Sequence, residues 1–180
     1  MIVHLVRHTS IRLTEPYSYG QTDVPLAATF PQEAESTRIR LSKHHIDHAY
    51  TSPLQRARAL ADYCGFADAT VDPRLREMFM GDYEIVPFTR LPKWYLDQWY
   101  GTDFMSITNP GGESMEQVWE RLKSFLDELK EQPYREVAVF SHGCAILCLL
   151  IKLGLRPPTS NLNDIPPTGS VTTIEIGTRD

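Results

Sequence analysis

The feature that most restricts what this chain can fold into is a series of short β-rich runs, each separated from the next by a stretch with helical pattern. Ile2–Val6, His48–Thr51 and Val137–Phe140 read as buried strands, and Val171–Ile176 alternates as a late strand near a sheet edge does. Between them, Ser114 and Gln117 make a capping box. Met115, Val118, Trp119, Leu122, Phe125, Leu126 and Leu129 then form one apolar stripe that Pro133 stops. Ser52-Pro53-Leu54-Gln55 reads as an N-cap, a proline at the first helical position and a second capping box. The stretch after Gly143 is apolar nearly all round, which predicts a buried helix, and residues 33–43 carry a weaker helical pattern. Strands alternating with helices predict an α/β fold: one three-layer α/β/α domain with a mostly parallel central sheet. At 180 residues, with no internal repeat, low-complexity tract or linker, the whole of 1–180 is expected to be that domain.

In open sheets of this kind ligands bind beyond the carboxyl ends of the strands, so the residues that follow each strand matter most. The first strand leads into Arg7-His8-Thr9, the second into Ser52 and on to Arg56, and the third into Ser141-His142-Gly143. Two arginines, two histidines and two helix N-termini thus meet at one sheet edge. Helix N-termini attract anions, and the arginine fork fits phosphate oxygens two at a time. Taken singly, a strand-end histidine is more often structural, and an arginine in a first helical turn is more often a solvated charge. The convergence is what points to a phosphoryl group.

Other chemistries fit less well. A net charge of −5 argues against a nucleic-acid partner, which needs a basic face. The longest apolar run, 145–151, is far shorter than the ~20 residues of a membrane span, and Met1–Val6, interrupted by His4, does not read as a signal peptide. Three cysteines are an odd number, and Cys144 and Cys148 read as core residues, so a cytoplasmic setting is expected. For a metal, the sequence has no CxxC or DxH spacing, and arginines beside the two histidines would repel a cation. Neither metal nor cofactor is expected. There is no GxxxxGK[ST] loop. The positions six residues after Cys64, Cys144 and Cys148 are Thr70, Leu150 and Gly154, which excludes the cysteine-nucleophile phosphatase pattern.

At these residues the chain resembles a known family. Leu5-Val6-Arg7-His8 resembles the Arg-His signature of the histidine phosphatase superfamily, which includes the phosphoglycerate mutases. Tyr50–Ala57 is similar to its second-arginine motif, and Arg74–Glu84 to the segment that carries its acid, Glu77. Gly112-Glu113-Ser114 with Arg121, and Ser141-His142-Gly143, match in the same order. Two departures stand out: Thr9 where the family usually has glycine, and Ile85 after Glu84 where glycine is common. A β-branched residue tolerates positive φ poorly, so Thr9 is expected in an ordinary backbone conformation.

The resemblance implies a metal-independent mechanism. His8 would attack phosphorus and water would hydrolyse the phosphohistidine. Arg7, Arg56 and His142 would hold the equatorial oxygens. Glu77 would serve as general acid and then base, unless it is merely salt-bridged to Arg74 or Arg76. Tyr19–Leu26 resembles a substrate-side loop, which with Thr14 and Gly143 makes Thr14, Tyr19, Gly20, Gln21, Thr22 and Gly143 candidate substrate-binding residues. The partner implied is a small phosphorylated substrate, with oligomeric state left open. Because the mutases are longer, the chain looks most like an α-ribazole-5′-phosphate phosphatase of cobalamin synthesis. A sugar-phosphate or phosphoglycerate phosphatase, a mutase, a protein phosphohistidine phosphatase and a non-catalytic phosphate-binding module are the alternatives. Residues 82–112 form an expected insertion over the site, carrying Tyr83, Phe88, Trp94, Tyr95, Trp99, Tyr100 and Phe104. Trp94, Trp99 and Tyr100 are the candidates there for stacking on a flat base.

Overall fold

The computed structural model describes residues 1–177. Strand β1 (Ile2–Arg7) is followed by the short β2 (Tyr17–Ser18), helix α1 (Phe30–Leu41), β3 (His48–Thr51), α2 (Gln55–Tyr63) and the two-residue β4 (Thr70–Val71). Then come β5 (Val86–Pro87), α3 (Lys93–Trp99), α4 (Met115–Leu129), β6 (Glu136–Ser141), α5 (Gly143–Lys152) and β7 (Val171–Glu175). The central sheet runs β4-β3-β6-β1-β7, with β7 antiparallel at the edge and every other pairing parallel. The expected α/β/α architecture is therefore present, and the late strand lies at an edge as its alternation implied. No helix among the described residues is long and apolar enough to cross a membrane.

The sheet divides the core by the two-residue alternation of its strands. Val3, Leu5, Val137 and Val139 pack with α4 and α5, whereas Val6, Ala138 and Phe140 pack with α1 and α2. Helix α5 is buried at every position from Gly143 to Ile151, as its uniform apolarity requires. In α4 the stripe is buried except for Trp119, and the Ser114–Gln117 capping box forms in both directions. The weak helical pattern at 33–43 becomes α1, which begins earlier, with Pro31 in its first turn.

The second capping box does not form. Helix α2 starts at Gln55, with Leu54 as its N-cap and no side-chain cap from its own segment. Asp23 supplies the acceptor instead, its carboxylate taking the Gln55 N–H at 2.8 Å. Ser52 Oγ instead accepts the Leu54 N–H at 3.3 Å and hydrogen-bonds His142.

Of the two departures, Thr9 keeps an ordinary backbone, as expected, while Ile85 adopts φ +56° and is the one non-glycine residue at positive φ among those described. A left-handed conformation costs about 1–2 kcal/mol for an L-residue and is least natural for a β-branched one. The Ile85 side chain is 40% exposed, so little apolar burial offsets that strain. Replacing Ile85 with glycine should stabilise the protein by roughly 0.5–1 kcal/mol, since glycine's extra unfolded-state entropy cancels part of the gain. Urea unfolding measures it, and an unchanged or lowered midpoint would contradict the strain.

Candidate active site

Because β1, β3 and β6 are parallel, Arg7, Thr51 and Ser141 end at one edge of the sheet. His8, Arg56 and His142 follow directly, and all three are buried. The rings of His8 and His142 lie 5.3 Å apart, centroid to centroid. His8 donates Nδ1–H to the carbonyl of Thr9 at 2.7 Å, since a carbonyl can only accept. In the neutral ring Nε2 then carries the lone pair. His142 Nε2 meets Ser52 Oγ at 2.7 Å.

The two arginines are held by carbonyls. Arg7 donates through Nη1 to Pro166, and Arg56 donates through Nη1 to Thr22 at 3.1 Å and through Nη2 to Gly20. The Arg56 guanidinium also lies 5.3 Å from the centre of the Tyr19 ring. Gly143 permits the approach of Arg7, because a Cβ there would stand 3.1 Å from Arg7 Nε and 2.7 Å from Ile165.

Buried polar side-chain atoms are rarely left without a partner. Among the described residues five are: Arg7 Nε, Thr9 Oγ1, Arg56 Nε, His142 Nδ1 and Ser170 Oγ. Four of the five belong to the Arg7–Thr9 segment, Arg56 and His142, around His8. That is the arrangement expected of a cradle for an anion with several oxygens.

The helix N-termini, by contrast, are already taken. Glu77 accepts from the N–H groups of Cys144 at 3.0 Å and Ala145 at 3.1 Å in the first turn of α5, and from its own neighbour Met78 at 2.9 Å. Asp23 takes the first N–H of α2. The chain's own carboxylates thus occupy the dipole ends that sequence reasoning offers to a ligand, and the anion site depends on side chains. Glu77 forms no ion pair with Arg74 or Arg76 among the described residues; Arg74 pairs with Asp72 and Glu128.

Five predicted site residues therefore converge: Arg7, His8, Arg56, Glu77 and His142. Of the candidate substrate-binding residues, Tyr19 and Gly143 line a cavity beside them. Gly20 and Thr22 contribute carbonyls to Arg56 rather than side chains. The Gln21 amide donates to the Glu77 carbonyl at 3.0 Å, and the Thr22 hydroxyl donates to Glu84 at 2.7 Å, so both side chains brace the site instead of facing it. Thr14 lies on an exposed bend outside the cavity lining.

Two residues that the family resemblance includes have bracing roles the sequence did not show. Glu84 accepts from the N–H groups of Gly20, Gln21, Thr22 and Met80 and so closes the 20–22 loop. Arg121, paired with Glu113, donates to the carbonyls of Arg74, Arg76 and Glu77. Only the family-like spacing marks these residues in sequence; their targets are backbone groups, which no side-chain pattern reveals.

The adjoining cavity, about 220 Å³, is walled mainly by Tyr17, Phe88, Leu91, Tyr95, Leu96, Trp99, Leu162 and Ile165, with Arg7 and Glu77 at its polar end. The 82–112 segment thus supplies Phe88, Tyr95 and Trp99. Trp94 (54% exposed) and Tyr100 (49% exposed) are not part of the wall. Leu162 and Ile165 come from beyond α5, a stretch without periodic pattern.

The chain is similar to known proteins over most of its length. Residues 3–180 match the histidine phosphatase superfamily (branch 1). The chain is 36% identical over 166 residues to a probable phosphoglycerate mutase (GpmB) of Yersinia enterocolitica, covering 87% of this chain and 76% of that protein. A probable GpmB of Yersinia pestis is 35% identical over 161 residues, 84% of this chain and 74% of its own length. A crystal structure of phosphoglycerate mutase from Thermus thermophilus superposes with a TM-score of 0.81 at 28% identity, covering 99% of this chain and 95% of that one.

Burial, then Arg56 and Arg7, hold the His8 pKa well below the ordinary histidine value, against a smaller opposing pull from the Thr9 carbonyl. Burial, then Arg56 and His8, do the same to His142. Both rings are neutral at pH 7 in the folded protein. As pH falls below ~6.5 the unfolded chain takes up protons at both positions that the folded one refuses. The stability these neutral rings allow is complete above that pH and declines below it, by about 1.4 kcal/mol per pH unit for each histidine. Urea denaturation between pH 7 and pH 5 should show this loss, and His8→Asn should remove about half of it. A variant slope equal to that of the wild type would mean that His8 is not the group excluding the proton.

Proposed function

The chain belongs to the histidine phosphatase superfamily (branch 1), and from that premise we propose that it is a phosphomonoesterase that passes the phosphoryl group through His8 to water. The observation that carries the reading is the ring of unpartnered buried atoms about a neutral imidazole whose Nε2 is left free by the Nδ1–Thr9 hydrogen bond. His8 Nε2 attacks phosphorus in line, and the ester oxygen departs as the N–P bond forms. Arg7 Nε, Arg56 Nε and Thr9 Oγ1 donate to the equatorial oxygens, where charge accumulates. In the tautomer whose Nε2 accepts from the Ser52 hydroxyl, His142 adds Nδ1–H to them. Glu77, at the polar end of the cavity, gives a proton to the leaving oxygen and later takes one from the attacking water. Positive charge comes from arginine, so the chemistry needs no metal.

The substrate reading rests on the cavity. Its wall is apolar and aromatic, and Arg7 is its one cation. A flat apolar leaving group suits it, and α-ribazole 5′-phosphate, with its benzimidazole base, is the substrate we favour, which puts the protein in cobalamin synthesis. The Yersinia relatives, described as probable phosphoglycerate mutases, supply the second reading. A glycerate carboxylate would have to sit near Glu77 with no cation beyond Arg7 to receive it, which favours the phosphatase.

Two tests follow from these roles. With EDTA present, wild-type protein should hydrolyse phosphomonoesters and carry acid-labile phosphate on His8 after rapid quenching, and His8→Asn should lose at least ~10³-fold in kcat/KM. Activity that disappears with EDTA and returns with a metal would overturn the mechanism. For the cavity, Trp99→Leu should raise KM for α-ribazole 5′-phosphate by about 5- to 150-fold, the equivalent of one ~1–3 kcal/mol stacking contact. It should leave glycerol 3-phosphate nearly unchanged, as should Trp94→Ala and Tyr100→Ala for both substrates. Equal effects of Trp99→Leu on the two substrates would remove the cavity from base recognition.

A further inference from the structure

On the α1/α2 side of the sheet, toward the amino ends of β1 and β6, a second group of histidines meets a carboxylate. His4 Nε2 lies 2.7 Å and His44 Nδ1 2.9 Å from the same oxygen, Glu136 Oε1. The two rings are 4.2 Å apart, and the donor atoms of the three residues all lie within 4.8 Å of one another. We propose that His4, His44 and Glu136 form a structural binding site for a divalent transition metal, most suitably zinc, remote from the phosphoryl-transfer chemistry.

Three features of the geometry support it. Two imidazole nitrogens crowd one carboxylate oxygen, although a carboxylate serving only as acceptor for two rings has a second oxygen to offer. In a four-coordinate zinc site with bonds of ~2.0–2.1 Å, ligand atoms stand about 3.3 Å apart. Admitting the ion would take an opening of about half an ångström at the two nitrogen–oxygen contacts, while the donor atoms as a group, all within 4.8 Å of one another, draw toward that common spacing. His4 is wholly buried, and its other nitrogen, Nδ1, lies 2.9 Å from the Thr173 hydroxyl on the neighbouring strand. That is the outer contact by which metal-bound histidines are normally oriented: Nδ1–H donates outward and Nε2 keeps its lone pair for the metal. Finally, two imidazoles and one carboxylate make an N₂O donor set suited to zinc, and the exposed edge at His44 leaves room for water as the fourth ligand.

Such an ion would tie β1, the turn after α1 and β6 together. Sequence spacing could not have shown it, since the ligands come from three segments separated by 40 and 92 residues.

Zinc titration of the full chain against a chromophoric chelator, followed by thermal unfolding, tests the site. One equivalent of zinc should bind and raise Tm. His44→Ala, at the half-exposed ligand, should weaken binding by at least ~100-fold and abolish the Tm rise. Thr173→Val should weaken it by ~10- to 100-fold, the usual effect of removing an outer contact. His45→Ala, at the exposed neighbour, should change nothing. Cobalt(II) should give the intense visible absorption of a four-coordinate site in wild type but not in His44→Ala. The proposal is overturned if the wild type takes up no zinc. Uptake that is indifferent to His44→Ala but lost in His142→Ala would equally refute it, by assigning the ion to the catalytic end.

Discussion

Arg56 is among the largest side chains in the protein that are fully enclosed, and a buried charge without partners costs several kcal/mol. Much of the catalytic end can be traced to how that charge is met. Carbonyls of Gly20 and Thr22 and the face of Tyr19 receive the guanidinium, which requires the 19–22 loop to turn its backbone inward. A loop presenting carbonyls on one side must present N–H groups on the other, and Glu84 collects three of them. Gly20 is needed because a Cβ there would lie 2.2 Å from the Met78 carbonyl. The positive φ of Ile85 belongs to the same chain of dependence, since it follows Glu84 directly and its N–H binds the Ser18 carbonyl. Local strain at one residue is tolerated because the surrounding contacts all depend on that turn.

The other half of the site is organised from the acid segment. Arg121 binds three successive parts of its backbone, and Glu113 anchors both Arg121 and the Phe79 N–H. Glu77 is thereby delivered to the start of α5, whose burial leaves its first N–H groups no water to bind. One carboxylate thus both completes a buried helix and reaches the cavity. Under the proposed function this becomes a division of labour: backbone amides hold the protein's own acids, and the substrate's charge would fall to guanidinium and imidazole groups.

Where sequence pattern speaks for burial, it was legible. Helix α4 with its capping box, the all-apolar α5, the strands β1, β3 and β6 and the edge strand β7 follow from periodicity, and parallel pairing then brings Arg7, His8, Arg56 and His142 together. The family resemblance, rather than any pattern, singled out Glu77. What was not legible is what depends on a partner distant in sequence. Ser52 reads as a helix cap, but His142, 90 residues away, takes its hydroxyl and Asp23 replaces it at α2. Gln21 and Thr22 read as substrate-facing, yet backbone groups and Glu84 claim their side chains. The two-residue strands β2, β4 and β5 are too short for any periodicity to register. Among the aromatics of 82–112, composition marks the segment, but only packing decides that Trp99 faces the cavity and Trp94 the solvent.

The electrostatics of the site also suit His8 to the nucleophilic role proposed for it. A histidine beside a carboxylate would be drawn toward the protonated, non-nucleophilic form, as carboxylates favour imidazolium. Here the partner of His8 Nδ1 is a carbonyl, which fixes the tautomer with far less pull on the proton, and the nearest full charges are two arginines that oppose protonation. The same arginines each keep a buried Nε donor without a partner among the described residues. On the proposed function, an incoming phosphoryl group would supply acceptors to those donors and negative charge to the guanidinium pair. In that reading the anion is held by residues other than the one that attacks it, so binding would leave the His8 Nε2 lone pair free.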